Sequence, residues 1–399
     1  MMPSSFPIVR LRPKADARAI RHGLPWVYAD QLVTDRRTRA LHPGSLAVLE
    51  DDARRPMGVV AVNPGSKIIA RMLDRDPAAA IDAAWFAARI GAALSHRQRL
   101  YDRPFYRLIH AEADGLPGVV VDRFGDAAVI QPNAAWAERL LDTLCQGLRD
   151  ATGIATLVKN ASGRTRALEG LDDDSTVLFG AADAPVAVPM NGATYLADLT
   201  GGQKTGLFFD QRENHAFARR LAQGARVLDV FAHVGGFSLA ALAGGAESAL
   251  AVDSSEPTLA LARQGAAATG VADRFATRRG DAVKTMEALA EDGQDFDLVI
   301  CDPPAFVPSR QALDAGLRAY ERVARLAARL VAPGGYLCVC SCSHAADLAS
   351  FRAASARGIG KAGRGAQLIH TGFAGPDHPQ QPQLAETGYL KSLFFRLAS

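Results

Sequence analysis

The chain has 399 residues, 48% of them hydrophobic, enough for two or three domains with separate cores. A formal net charge of +3 does not by itself announce a nucleic-acid binder, and five cysteines, an odd number set mostly in apolar runs, exclude a secreted disulfide framework. No run of about 18 uncharged apolar residues exists to cross a membrane, and the N-terminus lacks a signal peptide's apolar segment, so a soluble cytoplasmic protein is expected.

Residues 1–75 read as short strands and turns: GSLAVLEDD (44–52), PMGVVAVN (56–63) and KIIARML (67–73), separated by charged or Pro/Gly segments. The stretch carries 13 Lys/Arg against 7 Asp/Glu, a local excess of +6 that suits a phosphate backbone and also occurs on ordinary solvated surfaces. Residues 76–100 then switch to helical period, with Ile81, Trp85, Ala88 and Ala92 on one stripe. Strands at FYRLIH (105–110), GVVVDRF (118–124), AAVIQ (127–131) and TLVKN (156–160) surround a helix over about 134–149, an α+β region ending near residue 200. No internal repeat is present.

From about residue 205 strands and helices alternate: RVLDVFA, GGFSLAALAGG, SALAVDSS, PTLALARQGAAATG, RFATRRGDA, FDLVICDPP, ALDAGLRAYERVARLAARL and GGYLCVCSCS. This order predicts a doubly wound, mainly parallel α/β sheet with ligands at the carboxyl ends of its strands. Three strands end in a carboxylate: Asp229, Asp253 and Asp302. Single acids at strand ends often cap the next helix, but three in register point to a ligand. Asp253 lies 24 residues after Asp229, near the spacing at which an acid meets ribose hydroxyls. The loop after Asp229 lacks G-x-G-x-x-G and so has no cradle for a pyrophosphate. A nucleoside cofactor without phosphates fits it better, and S-adenosylmethionine is the expected one. Asp302-Pro303-Pro304 makes a rigid turn, because proline fixes φ and restricts the residue before it. Phe306 follows as a stacking platform for a base. Such acid-Pro-Pro-aromatic turns resemble motif IV of methyltransferases acting on planar nitrogen heterocycles.

The segment YLCVCSCSHAAD (336–347) holds three of the five cysteines at alternate positions. Alternation puts Cys338, Cys340 and Cys342 on one strand face, a poor arrangement for tetrahedral zinc or for a mutual disulfide, and no metal is expected. Cys338 and Cys340 read as small buried hydrophobes. Cys342 falls where the strand runs out, beside the strand ending in Asp302. A thiolate there can add to carbon 6 of cytosine and turn carbon 5 into a nucleophile, while a carboxyl group holds the ring's polar edge.

The residues also resemble a known family, the bacterial 23S rRNA 5-methylcytosine methyltransferases. The resemblance rests on LPWVYADQL (24–32), EADGLPGVVVDRFGD (112–126), GGQKTGLFFDQRENH (201–215), VLDVFAHVGGFSLAA (227–241), DPPAFV (302–307), SCS (341–343) and PDHP…ETGYLKSLFF (376–395). It implies a PUA-like RNA-binding domain over 1–75, a central α+β domain over 76–200 and a Rossmann-like methyltransferase domain over 201–399. It further implies Lys204, Phe208, Asp210 and Arg212 beside the cofactor and RNA entrance, with Lys204, Arg212 and Phe306 toward RNA. Asp229 and Phe231 would line the methionine side of S-adenosylmethionine, Asp253 the ribose and Asp281 the adenine, with Gly235, Ser254, Asp302 and Pro303 also among the cofactor-binding residues. Cys342 matches the family's nucleophile and Asp302 its partner. Better-known RNA 5-methylcytosine enzymes carry a second cysteine after the motif IV proline. Here Pro304-Ala305-Phe306 stands there, and the base that removes the carbon 5 proton is unassigned; His344 reads as a surface residue. The expected partner is RNA, 23S rRNA in particular, and a homodimer is left open. Two rivals stand beside this reading: a guanine N-methyltransferase of the same fold, which needs no nucleophilic cysteine, and a non-catalytic RNA-binding assembly factor.

Overall fold

The computed structural model describes residues 6–201 and 206–398. The chain separates into two compact units, Met1–Asp183 with Leu199–Gly206 and Pro379–Leu384, and Ala184–Asp198 with Leu207–His378 and Ala385–Ser399.

In the first unit, five strands pair in the order Ile8–Arg10, Ser45–Glu50, Pro56–Val62, Ala70–Asp74 and Trp26–Val27. The first pair is parallel and the others antiparallel, around a core that includes Val9, Leu11, Val27, Leu49, Val60 and Val62. A second sheet orders Thr176–Phe179, Thr156–Lys159, Ala127–Pro132, Val119–Phe124 and Phe105–His110, with the helices Ala83–Leu100 and Leu141–Thr152 packed together. Glu169, buried between these layers, accepts hydrogen bonds from Ser66 (2.8 Å), Arg71 (2.9 Å) and Asn63 (3.0 Å).

The helix expected over 76–100 begins only at Ala83, where the Asp82 carboxylate accepts from the backbone N–H of Trp85. Its buried stripe is Phe86, Ile90, Ala93 and Arg97, not Ile81, Trp85, Ala88 and Ala92; Ala88 and Ala92 are exposed. Ile81 precedes the cap, so counting from it set the phase wrongly. Trp85 instead donates its indole N–H to Asp74 (2.8 Å) at the half-buried rim. Arg97 is tolerated on the stripe because Asp114 grips its guanidinium at 2.6 and 2.7 Å.

The second unit holds a seven-stranded sheet: β1 (Arg226–Val230), β2 (Ser248–Asp253), β3 (Phe275–Arg279), β4 (Phe296–Cys301), β5 (Val331–Ser341), β6 (Ala366–Gly372) and β7 (Lys391–Leu397). Their order is β3-β2-β1-β4-β5-β7-β6. The first five run parallel, and β7 is antiparallel to both of its neighbours. The helices are α1 (Arg212–Leu221), α2 (Gly236–Ala243), α3 (Glu256–Thr269), α4 (Ala282–Glu291), α5 (Leu313–Arg329) and α6 (Leu348–Lys361). Contacts run from α1 to α2 to α3, and separately from α4 to α5 to α6. Leu228, Val230, Val299, Cys301, Leu337 and Val339 join residues of α4, α5 and α6 in one core. The strands are near-continuous apolar runs because helices cover both faces. Pro257 sits in the first turn of α3, where its missing N–H costs nothing.

Candidate functional site

The carboxyl ends of β1, β4 and β5 adjoin. β4 pairs with β5 through Cys301 and Val339, and with β1 through Cys301 and Val230, so Asp302 and Cys342 follow neighbouring strand ends. The Asp302 backbone N–H donates to Val230 O (3.2 Å), tying the Asp-Pro-Pro turn to the end of β1.

Asp229 lies in β1 and is 1% exposed. Its Oδ2 accepts from the backbone N–H (2.9 Å) and hydroxyl (2.6 Å) of Ser238 in α2. Its Oδ1 is buried without a hydrogen-bond partner among the described residues. Burial pushes the carboxyl up to about 6 against the opposing Ser238 hydrogen bonds, with the Asp253 charge adding a smaller upward push.

The loop between β1 and α2 is unusual in backbone. Phe231 (φ 65°) and His233 (φ 51°) are both left-handed non-glycine residues, and Gly235 (φ 79°) follows as the cap of α2. Such conformations persist where surrounding structure holds them, and they cluster at ligand sites. The Asp253 carboxylate supplies part of that hold: Oδ2 accepts from the His233 N–H and Oδ1 from the Ser255 N–H, both at 2.9 Å. Phe208 packs edge-on against the His233 ring, centroids 4.9 Å apart. Gly236 cannot be larger, because a Cβ there would stand 2.7 Å from the buried His215 ring.

The remaining expected residues are distributed unevenly. Ser254 is exposed beyond β2, and Asp281 is exposed as the N-cap of α4, accepting from the Lys284 N–H at 2.9 Å. Pro303 is buried, while Phe306 is half-buried against Tyr320 of α5, centroids 4.9 Å apart. Arg212 is 7% exposed with its guanidinium over the Phe209 ring. Lys204 lies outside the described residues.

Sequence reasoning missed the polar frame around these groups. Gln211 donates to Asp302 Oδ2 (2.9 Å) and accepts from Asn214 (2.7 Å). Tyr389 donates to Asp210 (2.6 Å). Cys338 and Cys340 are fully buried, with sulfurs 3.7 Å apart, and burial raises both thiols. Cys342 is half-buried just past the end of β5. On either side of it, Ser341 and Ser343 are buried with hydroxyls 2.9 Å from the Tyr320 hydroxyl, and Ser343 Oγ accepts from the Val307 N–H (3.0 Å). Lys391, 4% exposed at the start of β7, donates to the carbonyls of Ser343 and Ala346, each at 2.7 Å. A lysine inside the apolar run YLKSLFF was the available signal for it.

A parallel sheet with acids on β1, β2 and after β4, closed by one antiparallel strand, defines a Rossmann-like nucleoside-cofactor transferase. Residues 148–396 match the family described as S-adenosylmethionine-dependent methyltransferase, and residues 9–75 match the PUA-like domain. The chain belongs to the S-adenosylmethionine-dependent methyltransferase family, and S-adenosylmethionine is its cofactor. It is 33% identical to the "Ribosomal RNA large subunit methyltransferase" of Deinococcus radiodurans, over 99% of this chain and 98% of that one. It is also 33% identical to the "Ribosomal RNA large subunit methyltransferase I" of Aeromonas hydrophila, over 99% and 100%. A solved Streptococcus mutans protein described as a SAM-dependent methyltransferase shares the fold, with a TM-score of 0.81 at 19% identity over 98% of this chain and 100% of that one. Among the described residues no helix is long and apolar enough to cross a membrane.

Proposed function

We propose that this chain methylates carbon 5 of a cytosine in large-subunit ribosomal RNA through a covalent adduct with Cys342. The observation that carries the reading is the half-buried Cys342 thiol at the end of β5, next to the strand whose following residue, Asp302, is held by Gln211. The names of the relatives support the RNA class. The basic, PUA-like N-terminal region supports binding of an RNA backbone.

The residues present fit the cofactor. The unpartnered Oδ1 of Asp229 suits an ammonium donor such as that of the methionine moiety, and the loop with left-handed Phe231, His233 and Gly235 follows the same strand end. Asp253 and Ser254 would face the ribose, Asp281 the adenine, and Phe208 and Pro303 the flanks. When bound, S-adenosylmethionine supplies an electrophilic methyl group on sulfonium.

The chain's own residues make cytosine able to accept it. The Cys342 thiolate forms a bond to carbon 6, and the ring's electron pair shifts to carbon 5. The Asp302 carboxyl group hydrogen-bonds the ring nitrogen and amino edge, stabilising the charge that develops. Carbon 5, made nucleophilic in this way, would accept the methyl group that bound S-adenosylmethionine would supply, with S-adenosylhomocysteine as the leaving product. A base then removes the carbon 5 proton, the sulfur–carbon 6 bond breaks, and the thiolate is restored. Phe306 would stack the base, whereas Arg212, expected toward RNA, is buried over the Phe209 ring.

Incubation with 5-fluorocytidine-substituted large-subunit rRNA should give a stable adduct mapped to Cys342, since fluorine at carbon 5 blocks the final elimination. Cys342→Ala should form no adduct and lose at least about 1,000-fold in turnover while binding the cofactor normally. Full turnover by Cys342→Ala would favour the guanine reading, and absent cofactor binding by the native protein would favour the assembly factor.

A further inference from the structure

We propose that Lys391 is the positioning residue for Cys342, pinning the turn that carries the sulfur and presenting the positive charge against which its thiolate forms. The inference rests on the reading of Cys342 as nucleophile.

Three observations carry it. Lys391 pairs with Ser341 in the β5–β7 register, one residue before Cys342. Its side chain does not extend to solvent. It turns inward and spends two hydrogen bonds on Ser343 O and Ala346 O, which lie just after Cys342. A buried lysine is rare, and this one stands in a strand whose neighbouring residues are apolar or small. The two serines flanking Cys342 are meanwhile held by Tyr320, so the sulfur sits on a turn fixed from both sides.

The charges around this turn come from several elements. Asp302 follows β4, Tyr320 comes from α5, Asp347 caps α6, and exposed His344 lies on the turn itself. Burial lowers the Lys391 ammonium from its usual range, and the Cys342 sulfur and Asp347 act in the opposite direction. The ammonium, bonded to Ser343 O one residue beyond Cys342, lies against the turn that carries the sulfur. When the thiol proton leaves to solvent, the thiolate faces an ammonium in a partly desolvated turn, the setting that favours the reactive form.

The test is the pH dependence of Cys342 alkylation by iodoacetamide, without RNA, followed by peptide mass spectrometry. The native protein should show a midpoint below the roughly 8.5 of an ordinary thiol. Lys391→Met, which removes charge and hydrogen bonds, and Lys391→Gln, which keeps donors for the carbonyls, should both raise the midpoint by about one unit or more. Lys391→Arg should restore it. A purely structural lysine would alter rates or folding without moving the midpoint. A native midpoint at or above about 8.5 overturns the proposal. So do Met and Gln variants that bind S-adenosylmethionine and keep the native midpoint. Should neither variant bind the cofactor, the native and Arg midpoints decide. The 5-fluorocytidine trap separates the two readings: a low, Lys391-dependent midpoint without adduct overturns only covalent catalysis, and an adduct with an ordinary midpoint overturns only the role of Lys391.

Discussion

In the proposed site, Asp229 couples cofactor binding to the stability of the free protein. Its carboxyl is raised from 3.8 to about 6 in the folded chain, so the fold favours the protonated form. Below about pH 4 both folded and unfolded chains carry the proton and no ionisation cost arises. As pH rises toward 6 the unfolded chain ionises first, and stability falls until the folded carboxyl ionises as well. Asp229→Asn can still accept both Ser238 hydrogen bonds through its amide oxygen. Thermal unfolding of the cofactor-free variant at pH 8 should therefore show it more stable than the native chain, by about 3 kcal/mol, with the advantage largely gone near pH 4. Titration calorimetry should show weaker S-adenosylmethionine binding, because the charge facing the ammonium is lost. An advantage over the native chain no larger at pH 8 than at pH 4 would show that burial of Asp229 carries no such cost. The three carboxylates were legible because strand-end acids stand out in an alternating pattern. The polar frame around them was not. Gln211 bonds Asp302, Tyr320 bonds Ser341 and Ser392 bonds Cys340, contacts made only when segments far apart in the chain are brought together.

At the scale of elements, the cap that Asp281 makes has to be separated from its proposed contact with adenine. Its Oδ1 accepts from the Lys284 N–H at the start of α4, as a helix cap does. Asparagine caps as well as aspartate, whereas alanine does not. Asp281→Ala should lose about 1 kcal/mol in thermal unfolding and also weaken the cofactor, whereas Asp281→Asn should keep its stability and still weaken it. Unchanged affinity in the Asn variant would reduce Asp281 to a cap. Most strands and helices of the second unit could be read from the sequence, because both sheet faces are covered and each strand is a dense apolar run between turn signals. The helix Ala83–Leu100 was read out of phase because its alanines are neutral to burial and Arg97, a residue that sequence patterns place outside, points in. The three-cysteine strand resolved into two buried sulfurs and one at the end of β5, as alternation with strand termination requires.

Across the whole molecule, the first unit depends on a buried charge cluster. Glu169 answers Arg71, Asn63 and Ser66 at once, and Arg71 is itself buried. Glu169→Ala leaves that guanidinium without its carboxylate and should cost roughly 3–5 kcal/mol. Denaturant unfolding should show the loss in the transition of the first unit, with S-adenosylmethionine affinity unchanged, because the proposed cofactor residues belong to the second unit. A shift under about 1 kcal/mol would mean that water replaces the carboxylate readily. This cluster was not legible in the sequence, because its members are about a hundred residues apart and none belongs to a recognisable pattern.

The inverted order of β6 and β7 has a consequence for how the nucleophile is made. β6 pairs only with β7, and β7 lies inside it against β5 although it follows in the chain. Strand β6 therefore joins the sheet only through β7, whose pairing with β5 is a long-range step that is slow on the scale of local contacts. Lys391 arrives with that segment. A folding intermediate that lacks β7 would already contain Cys342 but not the ammonium beside it, so the thiol would gain its reactivity only as the sheet closes.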